Sequence, residues 1–141
     1  MGGTARARLG LPVFVTNIKL YRMKRILVVD DDLDILDLVR MALTMSGYSV
    51  QTLSRWETME DTIHEFRPEL VLLDVSLGTA DGRDLCRKLK ASPETGNIAV
   101  VLFSANIEMQ KSMGECRADS FLAKPFDLQR LVKTIRDVMP Q

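Results

Sequence analysis

The chain alternates between short unbroken apolar runs and longer stretches in which apolar positions recur every three or four residues. Ile26 to Val29 is a continuous apolar run, as a strand buried on both faces of a parallel sheet requires. Asp32 is placed to cap a helix whose apolar positions, Ile35, Leu36, Leu38, Val39, Ala42 and Leu43, follow helical spacing and stop at Gly47. A strand near Tyr48 to Leu53 comes next. Ser54 and Glu57 then read as a capping box for a helix reaching Phe66, with Pro68 behind it.

The alternation continues to the end. Leu70 to Leu73 is a second buried run and stops at Asp74. A loop through Gly78 and Gly82 leads to a helix from Arg83 to Lys90, whose inner face is Leu85, Cys86 and Leu89. Turn-forming residues 92–97 precede a third run, Ile98 to Phe103, which stops at Ser104. A weak helix around Met109 to Cys116 and a short strand, Phe121 to Ala123, follow, and the strand stops at Lys124. Asp127 caps a final amphipathic helix carrying Leu128, Leu131, Val132, Ile135 and Val138. Five strands alternating with five helices predict one doubly wound α/β domain with a parallel five-stranded sheet.

Composition removes several classes. The 141 residues suit one domain, and no stretch approaches the roughly 20 apolar residues of a membrane span. Cys86, Cys116 and the single His64 are too few for a Cys/His zinc site, and a catalytic triad would have to recruit a mid-helix histidine. Two unpaired cysteines suit a reducing cytoplasm and read as small buried residues. The formal net charge is zero, but it is unevenly spread. Residues 1–22 carry Arg6, Arg8, Lys19 and Arg22 with no acid, and residues 23–141 carry all 19 acids against 15 bases. Residues 1–22 are therefore expected to be a disordered basic extension, with translation starting upstream of Met23, and 23–141 an acidic domain. That acidic balance argues against direct nucleic-acid binding.

The chemistry lies where the strands stop. Asp30 and Asp31, Asp74, Ser104 and Lys124 each close an apolar run. In an open parallel sheet the carboxyl ends of neighbouring strands share one edge, where ligands bind. Helix capping accounts for Asp32 and Asp127 but not for a pair of acids, a third acid, a hydroxyl and a lysine on four strands. Clustered carboxylates repel one another unless they share a cation, and an all-oxygen set with one lysine suits Mg²⁺. A carboxylate beside such an ion can attack phosphorus, which leaves positioning and charge neutralisation to Lys124 and Ser104.

These residues resemble the receiver domain of two-component response regulators. The stretch from Lys24 through Asp30, Asp31 and Asp32 is similar to its first strand and acidic pair. Leu72-Leu73-Asp74 with Asp81-Gly82, then Phe103-Ser104-Ala105, then Phe121-Leu122-Ala123-Lys124-Pro125-Phe126 resemble its other motifs, over about residues 24–139. The resemblance implies a flavodoxin-like (βα)5 sandwich with strand order 2-1-3-4-5. It implies Asp74 as phosphoacceptor, with Asp31 and Asp74 holding Mg²⁺, Asp30 assisting through water, and the backbone carbonyl of Ser76 contributing. It further implies that Lys124 pairs with Asp74, that the Lys124–Pro125 bond is cis, and that Ser104 and Phe121 form the conformational switch.

The same resemblance implies a cytoplasmic signalling domain rather than a turnover enzyme. Its phosphoryl group would come from a sensor histidine kinase or a histidine phosphotransfer protein. Gly78 stands where the family often has proline, Ser104 replaces the commoner threonine, and Phe121 replaces the frequent tyrosine. Ser76 and Asn106 would flank the phosphoryl group and set its lifetime. Output is expected through protein contacts with an unknown partner, with Met109, Met113 and Phe121 near that face, unless the chain belongs to a longer regulator or hybrid kinase. A weak homodimer through the fourth and fifth helices is a further expectation. Three rivals use the same residues: a haloacid-dehalogenase-like phosphatase with Asp30 as nucleophile, a flavin-binding module, and an interaction module that is never phosphorylated.

Overall fold

The computed structural model describes residues 23–105 and 114–140. Its main sheet is built from β1 (Arg25–Val29), β2 (Ser49–Leu53), β3 (Leu70–Asp74), β4 (Ala99–Ser104) and β5 (Ser120–Ala123). All neighbours are parallel, in the order β2-β1-β3-β4-β5. The helices are α1 (Leu33–Met45), α2 (Met59–Phe66), α3 (Gly82–Ala91) and α4 (Leu128–Val138). The expected doubly wound sandwich and its strand order are therefore observed.

The unbroken apolar runs exist because the central strands are covered twice. Ile26 and Val28 of β1 and Leu70 and Leu72 of β3 face α1 and α4, where they meet Leu36, Val39, Leu43, Leu131 and Ile135. Their alternate neighbours Leu27, Val29, Val71 and Leu73 face α2 and α3, where they meet Met59, Ile63, Leu85, Cys86 and Leu89. A strand with period-2 alternation and helices on both sides has no polar face to offer. Each such fully buried aliphatic side chain contributes about 1.5–3 kcal/mol.

The structure departs from the pattern in a few places. Ser54 does not cap a helix: a 3₁₀ turn, Trp56–Thr58, precedes α2, and no side chain caps either element. The capping box read from Ser54 and Glu57 fails because the chain tightens to a 3₁₀ turn before the helix begins. Leu38, one of the apolar positions that follow helical spacing in α1, is 48% exposed, and Met41 and Met45 are exposed as well. Gly82 is the first residue of α3 rather than part of the loop, and Asp81 is its N-cap. The loop itself holds a two-stranded antiparallel hairpin, Ser76–Leu77 with Ala80–Asp81, turned at Gly78, whose φ of +72° suits glycine. Of the helix expected at Met109 to Cys116, residues 114–116 form a 3₁₀ turn and the remainder lies outside the described residues.

Candidate functional site at the carboxyl edge of the sheet

Period-2 alternation continues past the strand ends and decides which polar groups meet. Asp30 continues the side of Ile26 and Val28, Asp74 that of Leu70 and Leu72, and Lys124 that of Leu122. All three converge on the α1–α4 side. The ammonium of Lys124 donates to Asp30 Oδ2 at 3.0 Å and to Asp74 Oδ2 at 3.4 Å. Lys124 was expected to pair with Asp74; it pairs with both acids, and more closely with Asp30. Ser104 has the opposite parity, with Val100 and Leu102, on the side where Phe121 packs. It is buried, and its carbonyl accepts from the Lys124 N–H at 2.9 Å.

Backbone amides hold the carboxylates in place. Asp30 Oδ1 accepts from the Asp32 N–H at 2.9 Å, and Asp74 Oδ1 accepts from the Ser76 N–H at 3.1 Å. Asp32 in turn caps α1 by accepting from the N–H groups of Asp34 and Ile35. Three consecutive acids are thus divided by role: a buried one, an exposed one and a cap. Gly82 fixes the other side of Asp74. Its N–H donates to the Val75 carbonyl at 2.8 Å, and a Cβ there would collide with the Asp74 carbonyl oxygen and lie 2.9 Å from the Val75 Cα. The α3 N-terminus can approach the end of β3 this closely only without a side chain.

Electrostatically the site is unbalanced. Asp30, exposed Asp31 and Asp74 each place a carboxylate oxygen within 4.8 Å of the others, and Lys124 supplies one positive charge. Burial, and then the Asp30 charge, push the Asp74 carboxyl up from 3.8 to about 6, against the opposing pull of the Ser76 N–H and Lys124. Three carboxylates with one lysine leave two negative charges uncompensated, and such an oxygen-donor set fits a hard divalent cation such as Mg²⁺. Asp74 remains mostly ionised at neutral pH, so it stays nucleophilic.

Sequence reasoning brought together Asp30, Asp31, Asp74, Ser104 and Lys124, and the structure gathers them at one edge. The Lys124–Pro125 bond is cis. Phe121 is half-buried, and Ser76 is exposed at the start of the hairpin. Asn106, Met109 and Met113 lie outside the described residues. Two further residues, Phe103 and Trp56, were given no role at the site by sequence reasoning. Phe103 lies under Lys124, with the ammonium 4.6 Å from its ring centroid. Trp56 donates from its indole N–H to Thr79 Oγ1 at 3.2 Å, tying the end of β2 to the hairpin. Parity could have flagged Phe103, because it aligns with Asp74 in the β3–β4 register. Nothing in the sequence marked the Trp56–Thr79 contact.

The family described as the response regulator receiver domain matches residues 26–136. A DNA-binding dual master transcriptional regulator, RpaA, from Synechocystis is 34% identical over 119 residues, covering 83% of this chain and 49% of that protein. The chain spans about half the length of the curated relatives it matches. The receiver domain of NtrX from Brucella abortus superposes with a TM-score of 0.73 at 32% identity, covering 81% of this chain and 97% of that one. A CheY-like receiver domain protein from Methanospirillum hungatei gives a TM-score of 0.75 at 26% identity, covering 83% and 94%. On the family match and these relatives, the chain belongs to the response regulator receiver domain family.

Proposed function

We propose that residues 23–141 form a cytoplasmic phospho-accepting unit. In this reading Asp74 takes a phosphoryl group from a histidine kinase or histidine phosphotransfer protein and passes the signal to a partner protein. The observation that carries it is the unbalanced cluster: three carboxylates around one lysine, at the edge where five parallel strands end. An Asp74 carboxylate oxygen attacks phosphorus; the new O–P bond forms as the N–P bond of the donor phosphohistidine breaks, and the imidazole leaves with the electron pair and takes up a proton. Asp31, Asp74 and the Ser76 carbonyl would hold Mg²⁺, with Asp30 assisting. When bound, the ion would neutralise part of the carboxylate and phosphoryl charge. Lys124 shifts from its two carboxylates to the phosphoryl oxygens, and the Ser104 hydroxyl donates to them. Phe121 follows from the same side of the sheet.

Asp30 is the poorer nucleophile. Both acids have one oxygen on a backbone N–H and the other on Lys124, but Asp30 lies nearer the ammonium, at 3.0 against 3.4 Å, and is fully buried, whereas Asp74 keeps 5% exposure. This weighs against the phosphatase reading, which needs Asp30 to attack. Among the described residues no helix is long and apolar enough to cross a membrane. Incubation with a small acyl phosphate and Mg²⁺ tests the proposal by intact mass. One phosphoryl group should be added to the wild type, none to Asp74→Asn, and none after chelation. Retention of label in Asp74→Asn with loss in Asp30→Asn would reverse the assignment.

A further inference from the structure

We propose that Phe103 is a positioning residue for Lys124: its ring is the third wall of the pocket that holds the ammonium between Asp30 and Asp74. The inference rests on the proposed phosphorylation of Asp74. An ammonium carries three donors and no acceptor. Two directions are taken by Asp30 Oδ2 and Asp74 Oδ2, at 3.0 and 3.4 Å. In a third direction lies the face of Phe103, with its centroid 4.6 Å from Nζ. An aromatic face presents negative charge density, and a cation within about 6 Å of its centroid is attracted to it. Lys124 is only 18% exposed, so water screens this attraction little.

The ring is itself fixed. Phe103 is fully buried, and Phe126 meets it edge-on, with centroids 6.2 Å apart and planes at 68°. Phe126 follows Lys124 by two residues, so the segment that carries the lysine also braces the ring beneath it. Phe103 lies opposite Asp74 in the β3–β4 register and directly precedes Ser104. A flat, immobile, weakly negative surface therefore lies among the groups that must act on the phosphoryl oxygens.

The consequence is geometric. The closer carboxylate is Asp30, and an ammonium free to move would settle on it and away from Asp74. The ring lets the ammonium stay between the two acids without a third polar ligand among the described residues. From there the cation reaches the phosphoryl oxygens with little rearrangement, which is what preorganised charge stabilisation requires. An aliphatic side chain at position 103 would fill space but would not attract the cation.

The test separates attraction from shape. Phenylalanine at 103 is replaced by its pentafluoro analogue, which nearly preserves the shape and reverses the charge of the ring face, and separately by leucine, Phe103→Leu. The phosphorylation rate with a small acyl phosphate and Mg²⁺ is measured beside the thermal midpoint and the NMR signals of the Lys124 ε-protons. The fluorinated protein should keep its thermal midpoint and lose about fivefold in rate. In the wild type the Lys124 ε-protons should be shifted upfield by the ring, and in Phe103→Leu that shift should vanish. A fluorinated protein that folds and labels at the wild-type rate overturns the inference. Failure of the wild type to label overturns the phosphoacceptor assignment instead.

Discussion

The two ends of the sheet use the same chemistry to opposite effect. At the amino ends of the strands, acids just ahead of β3 and β5 are matched one to one by bases. Glu69 accepts from the Arg25 N–H at 2.7 Å and lies 3.7 Å from its guanidinium, while the Arg25 Nε–H donates to the Arg67 carbonyl. Asp119 accepts from Lys90 at 2.6 Å and from the Val100 N–H at 2.8 Å, and Lys90 also donates to the Ile98 carbonyl. These groups stitch strand starts to neighbouring segments, and their charges cancel. At the carboxyl ends three acids share one base, and burial, with the neighbouring Asp30 charge, pushes the Asp74 carboxyl up to about 6. A polar cluster at a strand end is therefore not informative in itself; an uncompensated one is.

The contrast can be broken from either end. The largest effect is expected from Lys124→Ala, which leaves Asp30 and Asp74 buried without a cation and should cost about 3 kcal/mol in metal-free denaturant unfolding. Added Mg²⁺ should restore much of that loss, because a ligand that binds only the folded state stabilises it.

Next comes Asp74→Asn, with the opposite sign. The folded carboxyl titrates at about 6 rather than 3.8, so the folded state binds a proton that the unfolded chain has released between those values. This group therefore makes the wild type more stable as pH falls from about 6 to about 4, and the benefit is lost as pH rises through 6. Asparagine mimics the protonated form at every pH. Asp74→Asn should gain about 2 kcal/mol in urea unfolding near pH 7.5, a gain that shrinks toward pH 4. A gain independent of pH would mean that charge repulsion is not its source.

The smallest effect belongs to the balanced end. Lys90→Ala should cost about 1 kcal/mol, through lost hydrogen bonds to Ile98 and Asp119, and Mg²⁺ should return none of it. If Mg²⁺ rescued Lys90→Ala as well as Lys124→Ala, the distinction between the two ends would collapse.

Much of this was legible in the sequence because parallel strands covered on both faces have no freedom to be polar. Ile26 to Val29 and Leu70 to Leu73 announce themselves, and the residues that interrupt such runs must lie at an end. Asp30, Asp74 and Lys124 were found in this way, without reference to their spacing. What stayed hidden depends on contacts between distant segments. The nearer partner of Lys124 is set by how β1 and β5 flank β3 and β4, which no local pattern encodes. The failed capping box at Ser54 shows the converse: a local signal was present, but the 3₁₀ turn at Trp56 left it unused. The exposed Leu38 fits helical spacing as well as the buried Val39 does, so periodicity alone could not separate them. The two cysteines behaved as composition suggested. Both are fully buried, and burial together with neighbouring Cys116 pushes the Cys86 thiol up to about 12.

The most direct test of the central claim is to find where the phosphoryl group resides. Wild-type protein is phosphorylated with an acyl phosphate in the presence of Mg²⁺, the acyl phosphate is trapped by borohydride reduction, and the modified peptide is sequenced by tandem mass spectrometry. Modification at Asp74 is the expected result, whereas modification at Asp30 or Asp31, or at no aspartate, would contradict the assignment of the carboxyl edge as a phosphoacceptor site.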